Sequence, residues 1–517
     1  MNGKIAIAIA LLVGGCAGTP ESIERRSVPS GDAAQSEMGT RLALAMVERH
    51  NPRLNAVIAI DPTAIDQARA IDARTDRGPL DGLPVLVKDN IETAGPIPTT
   101  AGSLALAANV SGRDAPLVAR LRQAGAVILG KTNLSEWANI RDNESISGWS
   151  ALGGQVRNPY ALDRNPCGSS SGSAVAVAAG IVLWSVGTET DGSITCPAAV
   201  NGVVGFKPTV GLVSRTGIIP ISASQDTAGP MAMSVRDAAL LLTAMAGSDP
   251  ADPATAEADR RKVDYAAALD ADSLRGRRIG VMRFSSGFGT DEALEAALAV
   301  LIGQGAQLVE IKEGPRRSAY GDDEFKVLLT EFKAGLNAYL ANTPPSVSTR
   351  SLADIIAFNR AHAIAEMPLF GQDIFEEAEQ MKGLDDPDYL QARAASLKAT
   401  GEDGIDKLLR EYRVEALVGP TMPPAWKIDA VNGDQISGGG AGGLAAVAGY
   451  PHLTVPMGLV KGLPVGLSFI GAKWSDALIL SLGHAFERAR GPFPLPHMIE
   501  SIEERPDIAR ALAPARR

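Results

Sequence analysis

The chain has 517 residues, enough for one large domain or two. Its formal net charge of -10 offers no basic footprint for nucleic acid. With 45% hydrophobic but only 4% aromatic residues, any core must be mostly aliphatic side chains and alanine.

The first sixteen residues carry one positive charge, Lys4, then the apolar run Ile5 to Val13, then Gly14-Gly15-Cys16. The run is too short to span a bilayer, and its order is that of a secretory signal with a lipobox. The expectation is an exported protein on the periplasmic side, held to the membrane only by lipid on Cys16, or a soluble periplasmic one after cleavage nearby. Residues 17–35, rich in Ser, Pro, Glu and Arg, read as a tether. A domain is expected over 36–500 and a tail over 501–517.

Helical spacing runs from Leu42 to His50, a strand from Leu54 to Ile60, and an alanine-rich helix from Ala64 to Arg74. Val85-Leu86-Val87 is a short strand with Lys88 at its end. A helix over Ala115–Ala124 leads to a buried strand over Ala126–Leu129. Between Pro166 and Thr209, glycine loops around Ser169 and Ser193 flank the apolar block Ala174–Val186, a helix followed by a buried strand. Strands Ile279–Phe284 and Gln307–Ile311 bracket a helix over Asp291–Gly303. Residues 322–412 are charged and helical, interrupted by Pro344-Pro345, and read as a solvated layer that also walls a cleft. Ala416–Gly419 is a strand, and Ala445–Pro456 and Leu463–Ile470 return to the core. Gly438–Gly443 is a flexible loop with no assignable role. Strands alternating with helices predict an α/β layered architecture.

The five histidines are His50, His362, His452, His484 and His497, so none lies between residues 51 and 361. No H-E-x-x-H, paired Cys/His cluster or phosphate-binding glycine fingerprint occurs, and no metal or cofactor is expected. Neither Ser169 nor Ser193 sits in a G-x-S-x-G elbow. Besides Cys16, Cys167 and Cys196 stand one beside each serine loop. A disulfide is possible in an oxidising compartment, but buried free thiols are the expectation.

Several segments, in order, resemble the amidase signature family. They are Gly82-Leu83-Pro84-Val85-Leu86-Val87-Lys88-Asp89-Asn90, Gly130-Lys131-Thr132-Asn133, Gly168-Ser169-Ser170-Ser171-Gly172-Ser173, Gly187-Thr188-Glu189-Thr190-Asp191-Gly192-Ser193-Ile194, Gly205-Phe206-Lys207-Pro208-Thr209 and Gln225-Asp226-Thr227-Ala228-Gly229-Pro230-Met231. The resemblance runs from about Arg41 to Arg488. Within the family the pattern is most similar to its peptide-amidase members.

The resemblance implies an α/β fold of one large domain, a mixed β-sheet covered by helices on both faces. It implies Ser193 as nucleophile, Ser169 as the serine bridging nucleophile and base, with a cis peptide after Gly168, and Lys88 as base. Burial at the end of an apolar strand would lower a lysine from its usual ~10.4 and let Lys88 take a proton. A surface pair between Lys88 and Asp89 is the structural alternative. Backbone N–H groups of Thr190, Asp191, Gly192 and Ser193 could converge on one oxyanion. The Asp191 side chain would orient the loop or meet a substrate N–H. Ser170, Ser171 and Ser173 would hold the loop by hydrogen bonds.

The expected reaction is hydrolysis of a carboxamide through an acyl-Ser193, with ammonia leaving and a C-terminal peptide amide as substrate. Hydrolysis of aryl, fatty or cyclic oligoamides is the alternative, and an inactive peptide-binding lipoprotein a further one. Thr195 and Cys196 stand where most family members carry an arginine, which argues against an amidotransferase component.

Overall fold

Short apolar segments with side chains alternating between two covered faces become the strands of one sheet. The structure, a computed structural model, describes residues 35–287 and 289–514; the signal segment and Cys16 lie outside the described residues. The strands are β1 (Val57–Ile60), β2 (Pro84–Lys88), β3 (Val127–Thr132), β4 (Trp149–Ser150), β5 (Gly154–Gln155), β6 (Trp184–Glu189), β7 (Val204–Lys207), β8 (Thr227–Ala232), β9 (Arg278–Met282), β10 (Gln307–Ile311), β11 (Ala416–Pro420), β12 (His452–Val460) and β13 (Leu463–Ile470). β4 and β5 pair with each other, and the rest form an 11-stranded sheet ordered β1-β3-β2-β6-β8-β7-β12-β13-β11-β9-β10. β2 runs parallel to β3 and β6, and β9 parallel to β10 and β11, while the other neighbours are antiparallel.

Both faces of this sheet are covered, which is why its central strands read as continuous apolar runs. Val85, Val87, Ile128 and Val186 enter one core, against helices Pro116–Gln123 and Val235–Met245. Leu86, Val127 and Leu129 point the other way, beneath helices Gln35–Leu54, Ala64–Asp72 and Ser171–Ala178. The fold is thus a single domain around a mixed sheet with helices on both faces.

The charged block forms a third layer. Helix Gly321–Ala341 buries Phe332 and Leu336 against Phe375 of helix Asp373–Glu379, and this cluster packs on Trp137 and Ile219 from loops near the sheet.

Three local readings differ from expectation. Helix Gln35–Leu54 extends into the segment expected to start a strand at Leu54. Asn55, at φ 51, then turns the chain. The Asn51 side chain bonds both the N–H and the C=O of Val57, each at 2.8 Å, so the strand starts there. Within Ala445–Pro456 the chain first forms helix Gly443–Ala448, stopped by Gly449 at φ 70, before β12 begins. The terminal stretch is anchored to the domain: Ser501 Oγ donates to Asp163 at 2.8 Å, and Ile502 is buried with Tyr160 and Trp426.

Candidate active site

The alternation along β2 aims its last side chain. Lys88 lies two residues beyond Leu86 and so faces the side on which helix Ser171–Ala178 packs. It is fully buried, and its Nζ lies 2.7 Å from Ser169 Oγ and 2.8 Å from Thr188 Oγ1. Burial lowers the amine from 10.5 to about 7, with the charges of Asp226 and Glu189 partly opposing the shift. A drop of that size disfavours the charged form by roughly 5 kcal/mol relative to water. The surface pair with Asp89 does not form: Asp89 is itself buried, bonded to Thr100 and 4.0 Å from Lys131.

Ser169 follows Gly168 through a cis peptide. A Cβ on Gly168 would meet Ser135 Oγ at 2.0 Å and displace the hydroxyl that accepts from the Gly148 N–H. The neighbouring hydroxyls hold the loop in place. Ser170 Oγ donates to the Thr188 carbonyl at 3.0 Å, Ser171 Oγ to the Cys167 carbonyl at 2.6 Å, and Ser173 Oγ meets Thr132 Oγ1 at 2.7 Å.

The second loop leaves β6 at Glu189 and turns through Gly192, whose φ of 82 favours glycine. Ser193 follows, 8% exposed, and its carbonyl accepts from the Ser170 N–H at 3.0 Å, which ties the loops together. Among the described residues, no protein group accepts from the N–H of Asp191, Gly192 or Ser193. Thr190 Oγ1 donates to Asp226 at 2.6 Å, and that carboxylate also accepts from the N–H groups of Ile221 and Ser222. Asn90, Thr188, Thr190, Arg215, Ile219 and Asp226 line a small cavity alongside.

Asp191 meets a guanidinium rather than standing free. Arg317, just before helix Gly321–Ala341, lies 2.9 Å from Asp191 and 3.1 Å from Glu324. Burial first, then the charge of Asp191, pushes Glu324 up to about 8. Gln225 Nε2 donates both to the Thr190 carbonyl and to Glu324, linking this group to the Ser193 loop.

The expectation of free thiols is corrected: Cys167 and Cys196 are joined as a disulfide. The fold brings them together because one precedes the Ser169 loop and the other opens helix Thr195–Val200 behind Ser193. The loop Gly438–Gly443 also gains a place. A Cβ on Gly442 would meet the His452 ring at 3.2 Å, so glycine lets this segment lie close against the start of β12.

Sequence reasoning names Lys88, Ser169, Thr190, Asp191, Gly192 and Ser193, and the structure gathers them on two adjoining loops and one strand end. It misses Glu189, Asp226, Arg317 and Glu324. Glu189 and Asp226 stand inside the family motifs, yet nothing in their spacing marks them as buried. Arg317 lies outside every motif.

The amidase family matches residues 39–480. A probable amidase of Arabidopsis thaliana is 41% identical over 469 residues, covering 88% of this chain and 86% of the relative. A glutamyl-tRNA(Gln) amidotransferase component of Exiguobacterium sibiricum is 36% identical over 488 residues, covering 91% of this chain and 97% of that protein. The native peptide amidase of Stenotrophomonas maltophilia superposes with a TM-score of 0.84 at 50% identity, over 90% of this chain and 95% of that one. The sequence match and the shared architecture together place this chain in the amidase signature family, as an amide-hydrolysing enzyme structurally close to peptide amidase.

Proposed function

We propose that this amidohydrolase releases ammonia from the C-terminal amides of peptides through an acyl-enzyme on Ser193. The observation that carries the reading is the buried Lys88 amine, lowered to about 7 and 2.7 Å from Ser169 Oγ. Near neutral pH such an amine takes and returns a proton, which a lysine in water cannot do efficiently.

In this mechanism Ser193 Oγ attacks the carboxamide carbon while its proton passes to Ser169 and the Ser169 proton passes to Lys88. The tetrahedral oxyanion is met by N–H groups of the loop Thr190-Asp191-Gly192-Ser193, three of which have no protein acceptor among the described residues. Each such donor typically contributes about 3 to 4 kcal/mol in the transition state. The proton then returns along the same path to the leaving nitrogen, ammonia departs, and water attacks the acyl-serine with the same base. Peptide amides as the substrate class are supported by the likeness to the Stenotrophomonas peptide amidase.

The test is ammonia release from a matched panel: peptide amides, the same peptides with N-methylated terminal amides, and aryl and fatty amides. The reading expects peptide amides to give the highest kcat/KM. Faster hydrolysis of an aryl or fatty amide would replace it.

We also propose that the enzyme is exported and anchored by lipid at Cys16. The Cys167–Cys196 disulfide supports this, since disulfides persist in oxidising compartments. Intact Met1 on cytosolic protein from its own host would contradict it.

A further inference from the structure

We propose that the Cys167–Cys196 disulfide is a positioning clamp for the serine pair, joining the segment before Ser169 to the helix after Ser193 and setting kcat by its redox state. The inference rests on the roles proposed above for the two serines.

Cys167 sits two residues before Ser169 with a left-handed φ of 57, a conformation that non-glycine residues avoid. Hydrogen bonds hold it on both sides: its N–H donates to Asn165 Oδ1 at 2.8 Å, and its carbonyl accepts from Ser171 Oγ at 2.6 Å. Cys196 follows Ser193 by three residues, and its N–H donates to the Gly192 carbonyl at 2.8 Å. Its backbone therefore touches the turn whose N–H groups face the oxyanion. Both cysteines are buried, at 5% and 4% exposure.

Hydrogen bonds also join these segments. They include Ser170 N–H to the Ser193 carbonyl at 3.0 Å, Asn201 Nδ2 to the Pro166 carbonyl at 2.8 Å, Asn158 Nδ2 to the Val200 carbonyl at 2.8 Å and Ser170 Oγ to the Thr188 carbonyl at 3.0 Å. These would remain after reduction, but the covalent tie at the base of both loops would not.

The elements between the cysteines do not depend on the clamp. Helix Ser171–Ala178 and β6 are held by the two large cores through Val175, Val177 and Val186. Breaking the bond should therefore leave the sheet intact and loosen the two loop ends. A serine pair displaced by a fraction of an ångström loses rate, and a shift near 1 Å can cost about a hundredfold. The helical layer that brings Arg317 and Glu324 beside Asp191 packs in a cluster that contains neither cysteine, so KM should hold.

The experiment uses the full chain, purified without reductant. Proteolysis and mass spectrometry without reduction should show a Cys167–Cys196 linked peptide, and finding both thiols freely alkylated would overturn the proposal. Dithiothreitol then transfers two electrons and two protons to the bond, leaving two thiols and closing to its own cyclic disulfide. On a peptide amide, kcat should fall by roughly tenfold to a hundredfold with KM changed by less than about threefold. Near-ultraviolet circular dichroism should keep its native signal, and re-oxidation should restore the rate. Cys167→Ser and Cys196→Ser should sit at the low rate whatever the reductant; if neither folds, the reversible reduction of the unmodified enzyme decides. An unchanged kcat after the linkage is gone, or a loss of rate that tracks loss of the native dichroism, would overturn the clamp. Ser193→Ala is run alongside: activity in that variant would remove the serine roles themselves, whereas an inactive Ser193→Ala beside a fully active reduced enzyme would remove the clamp alone.

Discussion

The carboxylate of Glu189 grips the backbone just past the nucleophile loop, its Oε2 accepting from the N–H of Ile194 at 2.7 Å and of Thr195 at 2.9 Å. The segment between, Thr190 to Ser193, is thereby closed into a short ring. Glu189 is buried, and burial raises its affinity for a proton while Lys207 opposes that shift. Lys207 is in turn lowered to about 8 by its own burial. Each charge favours the other, and the ring fixes the turn that carries the N–H groups of Asp191, Gly192 and Ser193, which have no protein acceptor among the described residues.

Glu189→Ala should therefore harm both stability and rate. It strands two buried N–H donors, each costing about 1 to 3 kcal/mol, and removes one of the two carboxylates, with Asp476, whose charge favours protonated Lys207. A loss of roughly 3 kcal/mol in urea unfolding is expected on that basis, with kcat reduced at least about tenfold. Glu189→Gln keeps an acceptor oxygen and should fall between. An alanine variant as stable as the parent would show that the backbone finds other acceptors.

Asp226 acts on Lys88 through charge, because its carboxylate favours the protonated amine. Asp226→Asn removes that charge while keeping an oxygen for the N–H groups of Ile221 and Ser222. The lysine should then lose its proton more readily, so the acid limb of kcat/KM should move to lower pH. A shift to higher pH would break the link between this carboxylate and the base.

Arg317 separates binding from stability. Its side chain is 61% exposed, so its pair with Asp191 is worth about 1 kcal/mol or less, and the fully buried partner Glu324 can take up a proton when the cation is gone. Arg317→Ala should leave the unfolding midpoint nearly unchanged. The same change frees Asp191 beside Ser193 and removes the cation that lowers Glu324, so Glu324 should hold its proton to higher pH still. KM for peptide amides should rise several-fold with kcat less affected. Unaltered KM would place Arg317 outside the substrate path.

Much of this is legible in the sequence because the sheet is covered on both faces. Val85, Leu86 and Val87 read as a buried strand, and a strand must present its final residue, Lys88, to one of two cores. The two serine loops are legible as turns through Gly168 and Gly192. The buried ions are not, since a side chain such as Lys131, Lys207 or Asp226 carries the same letter on a surface as in a core. The Cys167–Cys196 pair reads as free thiols because only the fold sets the distance across the helix and strand between them. The strand expected from Leu54 fails for a local reason, the Asn51 side chain holding Val57 and moving the strand start beyond Asn55.

The sharpest test concerns Lys88 as a neutral base. Its folded value of about 7 lies far below that of free lysine, with burial as the main cause. The amine must be unprotonated to accept from Ser169, so kcat/KM should rise with pH through about 7 and level off above. Lys88→Arg keeps the charge and loses the base, because guanidinium does not deprotonate in proteins. Its activity should fall by the full contribution of general-base catalysis, about 100- to 10,000-fold. Lys88→Ala should lose more than Ser169→Ala, since water can stand between Ser193 and the amine, whereas nothing else nearby replaces the proton sink. All three variants measured on one peptide amide across pH decide the matter. Near-parent activity in Lys88→Arg, or a profile flat through about pH 7 in the parent enzyme, would end the neutral-lysine mechanism.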